Sequence, residues 1–365
     1  MSAAEISVSA SSPHTAAAKR RPKAFAVFAA LLALLVCTAL LAATLGAAGI
    51  PLERLWPALG FGGAKDPATF ARDQLVLWSI RIPRIAIAAM IGALLAVAGT
   101  VMQGLFRNPL ADPALVGVSS GGAFAAAFTI VILDSMIAPN AAANAFELLP
   151  LAAFAGSLIT TLLLYKIASR DGRTSVAMFL LSGLAIAALA NAAIGLLIFM
   201  ADDRQLRDIS FWLLGSLGGA TWSKAALLAP FVIIAGLVMP FIARGLDVLV
   251  LGEQEAFYSG INVERLKMIS IVLVSAMTGA AVAICGVIGF VGIVVPHLLR
   301  LAIGPGHRLL LPASALFGAA LMVFADTFAR VLAAPAEIPV GILTATIGAP
   351  FFLYMLLRQR ALVGS

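Results

Sequence analysis

Apolar residues run along this chain in stretches long enough to cross a hydrocarbon core of ~30 Å as helices, and short polar segments separate them. Reading the stretches between those breaks predicts ten spans, at about 24–50, 82–105, 114–133, 148–168, 176–200, 222–243, 268–285, 288–303, 309–330 and 338–358. Ahead of the first lies an Ala/Ser-rich polar tail that ends in Lys19, Arg20, Arg21 and Lys23. The apolar stretch from Ala24 to Ile50 is about twice the length of a signal-peptide core, so it reads as an uncleaved span with the basic tail in the cytoplasm. The expected organisation is a tail over 1–23, one transmembrane domain over 24–360, and within it a long inner loop over 244–267.

Composition agrees. Of 365 residues 62% are hydrophobic and only 11% charged, and the mean hydropathy is +1.06. A soluble domain carries about a quarter charged residues, so the fold class is an all-α polytopic membrane protein. The formal charge of +7 reflects loop bias across a membrane and gives no reason to expect nucleic acid as a partner. Cys37 and Cys285 both lie in apolar runs and read as small buried hydrophobes, not as a disulfide or metal pair.

Charge also orients the chain. The break between the seventh and eighth spans, near Cys285-Gly286, is slight, and fusing the two would move the C-terminus to the other side. With ten spans, 15 of the 24 Lys and Arg fall in inner segments, led by the loops at 166–173 and 244–267. Both termini are then cytoplasmic. Arg81, Arg84 and Arg330 depart from the trend by gathering at the outer ends of spans 2 and 9. Any one of them could snorkel to lipid headgroups; three on one rim suggest a use.

Gly92-Ala93-Leu94-Leu95-Ala96-Val97-Ala98-Gly99 in span 2 and Gly279-Ala280-Ala281-Val282-Ala283-Ile284-Cys285-Gly286 in span 7 share the pattern G-A-x-x-A-x-x-G. The copies lie five spans apart, an odd number, so they point in opposite directions through the bilayer. This predicts an inverted repeat of spans 2–5 and 7–10, an architecture that builds a transport pathway between its halves. The glycines themselves read as helix-packing positions.

Two breaks lie near membrane depth. Arg107-Asn108-Pro109-Leu110-Ala111-Asp112-Pro113 interrupts the membrane run with two prolines, and is read either as a constriction in a pathway or as a plain inner turn. Pro296-His297 breaks span 8, and His297 reads as a hydrogen-bonded packing residue before it reads as a metal or haem ligand. No G-x-x-x-x-G-K-[ST] occurs, because none of the six lysines follows a glycine; the chain cannot hold ATP in a P-loop. Carboxylates are lacking at the midplane, with Asp326 and Glu337 near the outer face, which disfavours an ion-coupled secondary carrier. The absence of any H-E-x-x-H pattern disfavours an intramembrane hydrolase. A pathway with no energy source implies a separate motor. The inner stretch Leu251 to Gly260, with its acids and with Phe257 and Tyr258, reads as a docking helix closed by glycine.

These motifs resemble the permease subunits of type II ABC importers for iron-siderophores, haem and cobalamin over most of residues 50–358. The resemblance rests on Arg81-Ile82-Pro83-Arg84, on Gly99-x-x-x-Gln103-x-x-x-Arg107-Asn108-Pro109-Leu110-Ala111-x-Pro113-x-x-x-Gly117 and on Gly252-Glu253-x-x-Ala256-x-x-x-Gly260. It continues in Gly289-Phe290-Val291-Gly292-x-x-x-Pro296-His297-x-x-Arg300, in His307-Arg308, and from Ala325-Asp326-x-x-Ala329-Arg330 through Glu337-Ile338-Pro339-Val340-Gly341. It implies a homodimer in the bacterial inner membrane, with two cytoplasmic ATPase subunits that use ATP and Mg and a periplasmic substrate-binding protein. This chain then has no catalytic residue and binds no cofactor or metal. Position by position, the resemblance implies that Arg81, Arg84 and Arg330 dock the binding protein and that Asn108 and Leu110 form the inner gate. Gly252, Glu253, Ala256 and Gly260 fall on the helix that couples to the ATPase. Ser259 departs from the leucine usual there. The segment Arg204 to Trp222 looks most like the haem permeases, so haem leads siderophore and cobalamin as the expected cargo.

Overall fold

The computed structural model describes residues 13–46, 49–62, 66–113, 117–133, 142–170 and 173–363; for 13–23, 142–147, 356 and 358–363 the description covers backbone alone. The basic side chains expected to anchor the 1–23 tail lie outside the described residues. The helices are α1 (Pro13–Thr44), α2 (Leu52–Ala58), α3 (Pro67–Val76), α4 (Ile82–Leu105), α5 (Val118–Phe128), α6 (Ala142–Ala168) and α7 (Val176–Met200), then α8 (Asp203–Leu213), α9 (Trp222–Leu249), α10 (Glu253–Tyr258), α11 (Val263–Cys285), α12 (Val291–Ile303), α13 (His307–Leu332) and α14 (Val340–Val363). A two-stranded hairpin, β1 (Ser169–Arg170) and β2 (Arg173–Thr174), joins α6 to α7.

Among the described residues, seven helices are long and apolar enough to cross a membrane. Three shorter apolar helices, Val118–Leu133, Val291–Ile303 and Val340–Met355, occupy the places of the remaining predicted spans. The seventh and eighth spans are separate helices. α11 stops at Cys285, Gly286 takes φ 75°, and the Cys285 carbonyl is turned aside to accept from the Ser216 N–H at 2.8 Å. Gly286 therefore ends a helix instead of packing within one, as its place in the repeat pattern had suggested.

Span 2 begins earlier than its hydropathy indicates. α3 runs through a π turn, Leu77–Arg81, directly into α4, so the apolar helix extends over Pro67–Leu105. Pro83 has no N–H for the carbonyl four residues back, and the Ile82 N–H reaches to the Leu77 carbonyl, the wider turn that lets the helix continue. The inner loop expected over 244–267 narrows to 250–262, because α9 continues to Leu249 and α11 starts at Val263. Asn262 makes that start possible, its side chain accepting from the Arg265 N–H at 2.9 Å.

α4 is the central helix. It packs against α13, α9, α11 and α12, while α5, α6 and α7 form a second group that joins the first where α11 lies on α6 and α5. The inverted repeat is visible as exchanged packing: span 2 (α4) lies on span 9 (α13), and span 7 (α11) lies on span 4 (α6). The first glycine of each copy sits at the corresponding contact. A Cβ on Gly92 would stand 2.1 Å from the Gly318 carbonyl oxygen on α13, and one on Gly279 would stand 3.1 Å from Cβ of Ser157 on α6. At Gly92 the two backbones touch, whereas Gly279 makes room for a side chain; close approach of the first kind replaces the hydrophobic drive that helices lack in lipid.

Among the tightest approaches of two helices is that at Gly99, where a Cβ would lie 2.0 Å from the Gly292 carbonyl oxygen. Backbone cannot retreat as a flexible side chain would. Gly99→Val is therefore expected to force α4 and α12 apart, at a cost of ~1–3 kcal/mol or more. Thermal unfolding of the purified chain in detergent measures it, with Gly195→Val, in open space, as the control that should change little. Large apolar side chains such as Leu184, Leu189 and Phe199 on α7 and Phe241 on α9 point outward, as faces that meet lipid or a second copy must.

Candidate functional site

At one end of the bundle the π turn and the first turn of α4 carry Arg81 and Arg84, and the last turn of α13 carries Arg330. The structure brings the three together as expected. It does not leave them facing water. Arg84 is buried and forks onto Asp326, with Nε and Nη2 both donating to its carboxylate at 2.8–3.0 Å. Its Nη1 and Nη2 also donate to Glu337, each at 3.0 Å. Arg330 reaches the same Asp326 from one helical turn on, at 3.3 Å. Arg81, also buried, donates to the Ala43 carbonyl at the end of α1, and Gly46 lies between the guanidiniums of Arg81 and Arg330.

The three arginines read as an outer rim are thus buried: Arg84 and Arg330, taken out of water, pair with carboxylates that the chain itself supplies. The carboxylates differ in exposure, the Asp326 side chain being 4% accessible and that of Glu337 44%. Glu337 is thus the water-facing partner. The sequence places both acids near the outer face and within one motif, without assigning either a partner. The i, i+4 spacing of Asp326 and Arg330 was a legible signal; the pairing with Arg84, 242 positions away, was not.

At the opposite end of α4, residues 106–113 leave the helix. Arg107 has φ 50°, and Asn108 closes a turn by accepting from the Leu110 N–H at 3.0 Å. Asn108 is exposed and Leu110 half-buried. Just above them, Gln103 donates to the Gly292 carbonyl at 3.1 Å and accepts from Arg300, tying α4 to α12. His307 is buried with its ring against Gly104, and both its Nδ1 and its backbone N–H lie 2.7 Å from the Asp247 carboxylate near the end of α9. This link was invisible in the sequence, where His307 fell in a loop.

Following α9, Gly252 at φ 140° and Gly260 at φ 78° bracket α10. These are backbone conformations that side chains disfavour, so the two glycines set the helix off from its neighbours. Ala256 is fully buried and seats α10 on the body of the protein, while Phe257 and Tyr258 are 71% and 85% exposed. Ser259 is the C-cap residue, exposed to solvent. Two open grooves of about 660 and 750 Å³ flank the segment, and Gly260, Ile261 and Asn262 line both. Glu253 turns inward to Lys267 at 2.9 Å.

His297 is half-buried, with its ring centroid 5.9 Å from that of Phe351. Among the described residues no group of three or more His, Cys, Asp or Glu could hold a metal ion; both cysteines are free thiols, Cys285 buried as expected but Cys37 exposed on the outward face of α1.

Residues 31–358 match the FecCD transport family. The hemin transport system permease protein HmuU of Yersinia pestis is 44% identical over 332 residues, which are 90% of this chain and 95% of that protein. The cobalamin import system permease protein BtuC of Halobacterium salinarum is 44% identical over 308 residues, 84% of this chain and 80% of that protein. A solved structure, described as an inward-facing conformation of a metal-chelate type ABC transporter, covers 91% of this chain and 98% of its own. It superposes with a TM-score of 0.77 at 33% identity.

Proposed function

The chain belongs to the FecCD transport family, and from that premise we propose that it forms, as a homodimer, the pathway by which haem enters the cytoplasm. It is a multi-pass permease subunit of a type II ABC importer for haem, cobalamin or siderophore, and not an enzyme, since a separate ATPase subunit hydrolyses ATP. It works with that ATPase and a substrate-binding protein. The assignment of haem is ours. The observation that carries it is the likeness to the hemin permease, which extends over 95% of that protein. α8 and the segment after it support the reading: Arg204 and Arg207 are exposed there, and haem carries two carboxylates that such cations suit. Cobalamin is the second reading, favoured by an equal identity over a shorter match.

In this reading both termini are cytoplasmic, α10 meets the ATPase, and the Arg81, Arg84 and Arg330 end meets the periplasmic binding protein. Asn108 and Leu110, at the non-helical inner end of α4, form the inner gate. Arg84 can serve docking because the partner that holds its outward donors, Glu337, is the exposed one, and a carboxylate from the binding protein can take its place.

The test is ATP-driven uptake into proteoliposomes containing the full complex, supplied in turn with haem, a ferric hydroxamate and cobalamin, each with the binding protein outside. Haem is expected to raise ATP hydrolysis and to accumulate. Accumulation of cobalamin or the hydroxamate in place of haem would overturn the cargo assignment and leave the permease standing. Uptake that persists without ATP would overturn the importer reading itself.

A further inference from the structure

Lys267 lies one turn into α11, and its side chain is 4% accessible. A buried ammonium must find a partner for each of its three protons. Lys267 does so on three different elements. It donates to Glu253 of α10 at 2.9 Å, to Glu264 of α11 at 3.1 Å and to the Thr174 carbonyl of β2 at 3.1 Å. Glu264 closes the ring by accepting from the Thr174 N–H at 2.8 Å through its other oxygen. The node is complete, with no donor of the lysine left over.

Its position gives it a consequence. α10 has six residues, too few to hold a helix alone, and its covalent links to α9 and α11 pass through Gly252 and Gly260, the two most pliable positions of the loop. Chain connectivity also delivers any displacement of α10 only to α9 and α11. The hairpin of Thr174 belongs to the other half of the inverted repeat, where it joins α6 to α7. Among the contacts of the node, the one from Lys267 to Thr174 and the one from Glu264 to Thr174 are those that cross from α10 and α11 into that half.

Resting on the importer reading above, we propose that Lys267 is a positioning residue that ties the coupling helix to the α6–α7 hairpin, so that a stroke of the ATPase moves both halves of the repeat together. It touches neither cargo nor nucleotide. The arm that crosses to Thr174 is buried, so water competes with it less than with the two carboxylate arms, whose acids stay partly exposed.

The experiment uses the complete complex in proteoliposomes and reads cargo imported per ATP hydrolysed, normalised to assembled complex. Lys267→Met keeps the length and apolar stem and removes all three donors. It is expected to leave ATP hydrolysis and ATPase association near wild type while import per ATP falls by about tenfold. Lys267→Arg, which keeps a cation at the node, is expected to recover part of the loss; a merely structural role would show as loss of assembly, not as this split. Glu253→Gln combined with Lys267→Met is expected to be no worse than Lys267→Met alone, since both cut one connection. Wild-type import per ATP in assembled Lys267→Met complexes would overturn the proposal. If that variant does not assemble, Lys267→Gln, whose shorter neutral head cannot reach all three partners, decides: unchanged import per ATP would overturn the proposal, and a fall with intact hydrolysis would support the tie. Failure of the importer reading is separate, since it would appear as absent ATP-driven uptake in the wild-type complex.

Discussion

Replacing Arg84 with methionine is expected to destabilise the folded chain by ~3–5 kcal/mol, because it strands Asp326 as a buried carboxylate that has lost its bidentate partner. Arg330 remains within 3.3 Å, but one monodentate contact does not replace a fork that satisfies both oxygens. The loss should appear as a fall in the thermal midpoint of the purified chain in detergent. Adding Asp326→Leu to Arg84→Met should recover most of it, since a packed apolar pair is often as stable as the ion pair it replaces. Glu337→Gln, at a carboxylate that water already reaches, should cost little. Magnitude separates the two descriptions of this end of the bundle: a water-facing rim pair is worth ~0.2–1 kcal/mol, so a cost below about 1 kcal/mol would contradict the buried network. Docking of the binding protein to Arg84 variants must accordingly be compared at equal folded fraction, or a folding defect will read as a docking defect.

The sequence and the structure agree where one physical rule suffices and part where long-range pairing decides. Spans are legible because the bilayer requires some twenty apolar residues whatever the neighbours are, and Gly92 and Gly279 are legible as contacts because only small residues let another helix's backbone or side chain come so near. The start of span 2 was missed because Arg81 and Pro83 interrupt the apolar run of Leu75 to Ile80, and Arg72-Asp73-Gln74 before it look like loop. Their helix is carried on through a π turn, a device that hydropathy does not register. α8 was also missed, although Asp202 and Gln205 form a capping box that could have been read as its start. The candidate site divides in the same way. Local conformation was readable: Gly252 and Gly260 do bracket a short helix, and Asn108 does stand in a break. Partnership was not. Arg84 with Asp326, Lys267 with Thr174 and His307 with Asp247 each join distant segments, and nothing along the chain marks which cation will be desolvated and which carboxylate will meet it. For that reason the arginines read only as a rim for another protein, whereas Arg84 also holds α4 against α13 and Arg81 reaches α1.

Truncating Phe257 and Tyr258 together to alanine is expected to release the ATPase and abolish uptake while leaving the chain folded. Two adjacent aromatic rings at 71% and 85% accessibility, their centroids 6.0 Å apart, stand on a six-residue helix whose only buried side chain is Ala256. Nothing in the fold of this chain needs them, so removing them should shift the thermal midpoint very little, in contrast to Arg84→Met. Lipid does not account for them either, since the helix sits in a loop flanked by Glu253, Glu255 and Arg265 and by two open grooves. Aromatic anchors at the centre of a protein interface typically cost about 2 kcal/mol or more each when truncated, roughly 30-fold apiece, so the additive expectation for the pair is a loss of ATPase association of roughly 700-fold. Co-purification of the ATPase at graded concentration reads this directly, and import falls with it. Lys267→Met provides the contrast, since it is expected to keep the ATPase bound and to lose only the delivery of its stroke. Full association of the ATPase with the Phe257→Ala, Tyr258→Ala chain would show that the motor grips another surface. The free aromatic face of α10, the two glycines that set the helix apart and the buried Ala256 that seats it would then need a different explanation.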